Sequence, residues 1–148
     1  MSDESWLLQA IELSRRCPRS YDSFAVGAVL LDRDENFVAD GYSLERGERM
    51  HAEEVALAKA EEQAADLQGG VMFSSLEPCS VRLSGKRSCA DRIVAAGIRR
   101  VVYALDEPPV FVRCEGVSLL RENGVEVVQL AELGEQVLQV NSHLFDPA

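Results

Sequence analysis

Short apolar runs separated by polar turns predict five strands along the chain. The first two, at residues 24–31 and 37–42, flank a polar turn at 32–36 and therefore predict a hairpin. Each of the later strands follows a segment of helical character. These later strands are predicted at residues 71–76, 100–105 and 125–130.

Helices are predicted where apolar residues recur at helical spacing or where Ala and Glu dominate. They cover residues 5–17, 51–67, 89–96, 115–123 and 131–145. Pro18 ends the first helix and the Gly69-Gly70 pair ends the second, while Gly97 and Gly124 follow the third and fourth. Helices and strands alternate after the hairpin. The pattern therefore predicts a three-layer α/β/α fold, in which a central mixed sheet of about five strands has helices on both faces.

Composition narrows the function classes. The length of 148 residues predicts one domain, residues 1–148, with an ordinary apolar content of 47%. No apolar run approaches the ~20 residues of a membrane span, and the acidic start lacks the basic residues of a signal peptide. We therefore expect a cytoplasmic protein with reduced cysteines. The net charge of −10 argues against nucleic acid and favours a small-molecule substrate.

One stretch carries candidate metal chemistry. His51, Cys79 and Cys89 supply an imidazole and two thiolates, which are good zinc ligands, so we expect one zinc ion per chain. Three protein ligands leave one position for water, whose pKa zinc lowers from about 15.7 to about 7. Glu53 lies two residues after His51, where a carboxylate that does not bind the metal can move protons. Such a site predicts a hydrolytic enzyme.

The neighbouring residues have simpler interpretations. Glu54 is the rival of Glu53, and we expect it on a solvated helix face. Cys17 and Cys114 have no neighbour at ligand spacing and are expected to be small apolar residues. In sheets of this kind the ligand lies beyond the carboxyl ends of the strands, and the helices that begin at His51 and Cys89 would point their positive ends at the site.

The chain resembles, over essentially its whole length, the deaminase domain of the riboflavin-biosynthesis deaminase-reductase family, within the cytidine deaminase-like superfamily. Nine residues separate the two cysteines, which matches the long loop of that family rather than a short C-x-x-C. The matching stretches are Val26-Gly27, His51-Ala52-Glu53, Leu76-Glu77-Pro78-Cys79-Ser80, Gly85-Lys86, Cys89-Ala90-Asp91, Ile93-Val94-Ala95-Ala96-Gly97, Arg99-Arg100-Val101-Val102, Asp106-Glu107-Pro108-Pro109-Val110 and Gly124-Val125-Glu126-Val127.

The resemblance implies a stand-alone, zinc-dependent deaminase with a cytidine deaminase-like fold. It makes Glu53 the proton shuttle and His51, Cys79 and Cys89 the zinc ligands. It also implies an aminopyrimidine substrate, such as a riboflavin-pathway diaminopyrimidine ribosyl 5′-phosphate, and assembly as a homodimer or homotetramer.

The substrate-facing residues depart from the family. Ser23 stands where the family has an asparagine, and Ser43 lies where its histidine follows the glycine of the second strand. Both are candidate substrate-binding residues. These changes keep a cytidine, nucleoside or nucleobase deaminase open as an alternative. A tRNA adenosine deaminase, or a protein that binds zinc without turnover, is a further alternative, although the acidic charge and Glu53 argue against them.

The loop between the two cysteines is cationic. Arg82, Lys86 and Arg87 give it three positive charges in an acidic chain. Both ends of the loop would be held at the metal, so the loop would lie at the rim of the pocket. We therefore expect Lys86, with Arg82 or Arg87, to bind a substrate phosphate. A solvated loop whose charges only aid solubility is the alternative.

Overall fold

The computed structural model describes residues 1–82, 86–111 and 113–145, and its strands form one mixed sheet. The strands are β1 (Gly27–Leu31), β2 (Phe37–Tyr42), β3 (Val71–Leu76), β4 (Arg100–Leu105) and β5 (Glu126–Gln129). The α-helices are α1 (Asp3–Ser14), α2 (Ala52–Glu62), α3 (Cys89–Ala95), α4 (Gly116–Glu122) and α5 (Gly134–Val140). Short 3₁₀ helices at Ala131–Leu133 and Ser142–Leu144 flank α5. Three of the five strands have the predicted bounds.

The direction of the strands gathers several loops at one edge of the sheet. The order is β2-β1-β3-β4-β5, and β1 is antiparallel to both of its neighbours, whereas β3, β4 and β5 are parallel. Four strands therefore run one way and β1 runs the other. The segments after β2, β3 and β4 consequently meet the segment that precedes β1, which is where ligands bind in sheets of this kind.

Two glycines show that helices lie on opposite faces of the sheet. A Cβ on Gly27 would overlap the Ala10 carbonyl of α1, whereas one on Gly41 would lie 2.7 Å from the Ala52 carbonyl oxygen of α2. Ala28 pairs with Gly41, so Gly27 and Gly41 point to opposite faces. Helices α1 and α5 contact each other, as do α2 and α3, and α3 and α4. The predicted three-layer α/β/α fold with a mixed sheet is confirmed.

The second helix is shorter than predicted. It ends at Glu62 instead of residue 67, because Ala64 adopts a left-handed conformation with φ +53°. The Ala65 amide donates to the Ala60 carbonyl at 3.0 Å and the Ala64 amide to the Glu61 carbonyl at 2.9 Å. These two bonds form a Schellman motif, which usually places Gly in the left-handed position. An alanine there gave no stop signal.

The single helix predicted at 131–145 was wrong. The structure has two 3₁₀ turns around α5, and the chain leaves the α-helix at Asn141. The buried Asn141 side chain accepts from the Ala25 amide at 2.7 Å and donates to the Ala25 carbonyl at 3.1 Å. This long-range contact attaches the end of the chain to the segment that precedes β1.

In the described ranges 1–82, 86–111 and 113–145, no helix is both long and apolar enough to cross a membrane.

We predict that Ala64→Gly stabilises the fold by about 0.5–1 kcal/mol. The left-handed conformation costs an L-residue about 1–2 kcal/mol, and Gly loses only part of that gain through its greater freedom when unfolded. Chemical denaturation would measure the change. Glu61→Gly, three residues earlier inside the same helix, is the control and should destabilise by about 1 kcal/mol. A destabilised Ala64→Gly would contradict the explanation of the helix end.

Candidate active site

A cavity of about 620 Å³ opens at the edge of the sheet where the four segments meet. Residues of the segment before β1 form one wall, and residues from the segments after β2, β3 and β4 form the rest. The volume lies within the roughly 300–1,000 Å³ of small-molecule sites. The strand directions therefore place a cavity of ligand size where the sequence predicted it.

His51, Cys79 and Cys89 come together at this cavity. The Cys79 Sγ atom lies 3.6 Å from His51 Nδ1, and Cys89 Sγ lies 3.3 Å from the same nitrogen. The three potential donor atoms all lie within 4.8 Å of one another. One nitrogen and two sulfurs at this spacing fit a zinc ion with a position left for water.

Helix starts position two of these side chains. His51 is the N-cap of α2 in an extended conformation, and Cys89 is the first residue of α3, as the sequence predicted. Cys79 follows β3, and its Sγ accepts the Cys89 amide at 3.2 Å while its carbonyl accepts the Ala90 amide at 3.0 Å. These two backbone hydrogen bonds hold Cys79 against the start of α3.

The two thiols share a proton unequally. The hydrogen bond from the Cys89 thiol, helped by contacts with the Cys89 amide and His51, lowers the pKa of Cys79 to about 4 despite burial. The same hydrogen bond and complete burial raise the pKa of Cys89 well above its usual value. Two adjacent thiolates repel each other, so a cation that binds both sulfurs would allow both to ionise.

Glu53 lies beside this cluster and inside the cavity lining. It is only 3% exposed, and its Oε2 atom accepts the Ser74 hydroxyl at 3.3 Å. Burial raises the pKa of Glu53 to about 7, and the Cys79 charge adds to that effect. A carboxyl group with such a pKa can both accept and donate a proton near neutral pH.

Glu54 does not lie on a solvated face, so that expectation was wrong. It is 9% exposed, and its carboxylate contacts Arg82 Nη1 at 3.0 Å and Arg92 Nη2 at 3.4 Å. Burial alone would raise the pKa of Glu54, but the His51 amide and the two guanidinium groups hold it below its usual value. From the sequence alone Glu54 looks like an exposed helix residue, because its partners Arg82 and Arg92 are distant along the chain.

The five residues predicted to bind substrate fall into two groups. Ser23, Ser43 and Arg82 line the cavity. The Ser43 hydroxyl already accepts the Val26 amide at 2.9 Å, and the Arg82 side chain is paired with Glu54. Lys86 and Arg87 are exposed and are not among the described residues of the lining. Gly85, which was matched together with Lys86, lies outside the described residues.

Sequence reasoning missed Glu107 as a residue of the site. It lines the cavity, burial raises its pKa to about 7, and its Oε2 has no hydrogen-bond partner among the described residues. Its amide donates to Glu77 Oε1 at 3.1 Å, and Glu77 Oε2 accepts the Val117 amide at 3.0 Å. The stretch from Asp106 to Val110 was matched to the family without a role. Its position just after β4 could have identified it, because ligands bind beyond the carboxyl ends of such strands.

Two aromatic side chains, also missed, give the cavity an apolar wall. Phe24 precedes β1 and Phe111 follows β4, and their rings meet edge to face with centroids 5.2 Å apart. A flat heteroaromatic ring is the kind of group that such a wall accommodates.

Comparisons with known proteins agree with this geometry. The family model described as the cytidine and deoxycytidylate deaminase zinc-binding region matches residues 1–105. A diaminohydroxyphosphoribosylamino-pyrimidine deaminase of Schizosaccharomyces pombe is 41% identical over 128 residues, which are 85% of this chain and 31% of that protein. The chain spans about a third of the length of the curated relatives it matches.

Two solved structures of deaminases share this fold. A Thermotoga maritima diaminohydroxyphosphoribosylaminopyrimidine deaminase/reductase superposes with a TM-score of 0.86 at 29% identity, covering 97% of this chain and 40% of that one. The Aspergillus oryzae Rib2 deaminase in complex with DARIPP superposes with a TM-score of 0.83 at 25% identity, covering 93% of this chain and 88% of that one. The resemblance drawn from the motifs is confirmed.

Proposed function

Because the chain belongs to the cytidine and deoxycytidylate deaminase zinc-binding family, we propose that it is a zinc-dependent hydrolase that releases ammonia from an amino-substituted pyrimidine. The main support for this proposal is the position of Glu53. This buried carboxyl group lies in the cavity beside two thiols and an imidazole but is not part of their cluster. A purely structural zinc site would fill the fourth position with a protein ligand.

The riboflavin-pathway diaminopyrimidine ribosyl 5′-phosphate is the substrate we propose. The Schizosaccharomyces pombe relative acts on a diaminohydroxyphosphoribosylamino-pyrimidine, and the Aspergillus oryzae deaminase was solved with DARIPP. The acidic net charge of −10 supports a small molecule over nucleic acid. Residues 1–148 would form one deaminase domain, and assembly as a homodimer or homotetramer and a cytoplasmic location stay predictions.

His51, Cys79 and Cys89 would hold the zinc, which when bound would supply an activated water. Glu53 takes a proton from the attacking water and passes it to the ring nitrogen next to the amine-bearing carbon. The carboxyl group then takes the remaining hydroxyl proton and gives it to the amine, which leaves as ammonia. The Ser74 hydroxyl, which also donates to the Leu76 carbonyl at 2.8 Å, lies 3.3 Å from Oε2 and so helps to orient the carboxyl group. Phe24 and Phe111 pack around the ring.

We predict one zinc ion per chain, with ligand distances of about 2.0–2.3 Å to His51, Cys79 and Cys89. Cys89→Ser should lose most of the metal, because one of three protein ligands is replaced by a poorer one. Elemental analysis of the purified protein would measure the zinc. Cys17→Ser and Cys114→Ser are the matched controls and should keep it, since those thiols contact the Pro18 and Pro78 carbonyls instead. A wild-type protein with well under one zinc would contradict the proposal.

We predict that Glu53→Ala keeps its zinc and loses turnover by about 10²–10⁴-fold, the usual effect of removing a general acid–base. Ammonia release under single-turnover conditions would measure the loss. Glu61→Ala, on the exposed side of the same helix, is the control and should leave turnover unchanged. Near-normal ammonia release by Glu53→Ala would exclude the proton-transfer role.

We propose that Lys86, with Arg87, binds the substrate phosphate. Both side chains are exposed on the loop between the cysteines, whose residues Val81 and Arg82 line the cavity. Lys86→Ala should raise KM for the 5′-phosphorylated substrate about tenfold or more, as expected from losing a charge-assisted contact, and change KM for the dephosphorylated compound little. Arg33→Ala, at the β1–β2 turn, is the control cation. The proposal would be contradicted if wild type turned over both compounds equally well and Lys86→Ala changed neither rate. That result would favour a nucleoside substrate without a phosphate.

A further inference from the structure

A buried carboxylate next to the proposed proton shuttle has no part in the chemistry above. Glu54 contacts Arg82 Nη1 through Oε1 at 3.0 Å and Arg92 Nη2 through Oε2 at 3.4 Å. The Arg82 side chain is only 2% exposed, and that of Glu54 is 10% exposed. Each of the three residues follows a proposed zinc ligand by three positions in the chain: Glu54 follows His51, Arg82 follows Cys79, and Arg92 follows Cys89.

The carboxylate also fixes the start of α2. Glu54 Oε1 accepts the His51 amide at 3.3 Å, so the carboxylate caps the N-terminus of that helix. His51 is the N-cap, so the bond restrains the backbone that carries the imidazole.

Arg82 connects the segment after β3 to the segment after β2. It lies three residues after Cys79, and its Nη2 donates to the Arg49 carbonyl, two residues before His51. Arg49 has a left-handed conformation with φ +63°, which is unfavourable for a residue with a side chain. The hydrogen bond therefore stabilises a strained turn that leads directly to His51 and whose residues line the cavity.

Arg92 connects the remaining ligand segment. It lies one helical turn after Cys89 on α3, contacts Glu54, and donates from Nε to the Arg87 carbonyl at 3.3 Å. Glu54 thus contacts, through one carboxyl group, the backbone of His51 and cations three residues after each cysteine.

Because these charged side chains are buried, their contacts are a poor way to stabilise the fold. A buried ion pair loses hydration that its attraction often only offsets, and apolar residues of similar volume often stabilise a fold equally well. Three simultaneous contacts to the three metal-ligand segments point to a geometric role. Residues that orient metal ligands commonly change metal affinity by about 10–100-fold when they are removed.

We propose that Glu54 is a positioning residue for the zinc site, and that Arg82 transmits its effect to the loop between the cysteines instead of binding phosphate. One carboxylate sets the spacing of the three ligand-bearing segments, so the sulfurs and the imidazole remain close without the metal and hold it tightly when it binds. The inference rests on the zinc site of the proposed function.

The test is the rate at which the zinc-loaded protein transfers its metal to a chromophoric chelator. Glu54→Gln keeps the shape of the side chain and removes its charge, and Arg82→Lys keeps the charge and loses the two-armed contact. Both are expected to release zinc about 10–100-fold faster than wild type. The control is Arg46→Gln, which breaks the exposed ion pair between Arg46, in the segment after β2, and Glu62 of α2, and should not change the rate.

A second measurement separates positioning from plain stability. Any destabilising change would lower the thermal unfolding temperature of the metal-free protein, whereas faster zinc release from the folded protein requires a distorted site. Arg92→Gln leaves the Glu54–Arg82 pair intact and should release zinc several-fold faster, which keeps the test decisive if Glu54→Gln does not fold. Release within twofold of wild type by folded Glu54→Gln or by Arg92→Gln would overturn the inference, whereas zinc-free wild type would instead contradict the proposed function.

Discussion

The structure depends on bringing two sulfurs and one imidazole nitrogen within 4.8 Å of one another. Two thiolates at this distance repel each other, although the half-buried His51 imidazole helps to stabilise the charge on Cys79. The backbone offsets part of this repulsion, since the Cys89 amide points at the Cys79 sulfur. A divalent cation offsets the rest and allows both thiols to ionise. The proposed chemistry follows from this arrangement, because Glu53 can act on a water molecule only if that water is held beside it.

The reversal of one strand assembles the cavity around that cluster. With β1 antiparallel to its neighbours, the segment before β1 lies at the same edge as the segments after β2, β3 and β4. Phe24 and Glu107, far apart in the chain, therefore line one cavity. Asn141 holds the first of these segments through Ala25, so the end of the described chain also contributes to the shape of the site.

The sequence predicted the features that depend on local signals. The strands at Phe37–Tyr42, Val71–Leu76 and Arg100–Leu105 were found with their bounds, because apolar runs ended at clear turn residues. The clustering of His51, Cys79 and Cys89 was also predictable, because histidine and cysteine are good zinc ligands even when they are far apart in the sequence. Glu54 was misinterpreted because its partner Arg82 is 28 residues away. The prediction of a single helix at residues 131–145 was wrong for a similar reason, since the partner of Asn141 is 116 residues away.

The most direct test of the proposed hydrolysis is a reaction of the purified protein with the diaminopyrimidine ribosyl 5′-phosphate in water labelled with heavy oxygen. Each product molecule should gain one labelled oxygen on the ring carbon that carried the amine, and one ammonia should appear with it. The activity should disappear when zinc is removed and return when zinc is restored. Ammonia without label in the ring, or full turnover by the metal-free protein, would contradict it.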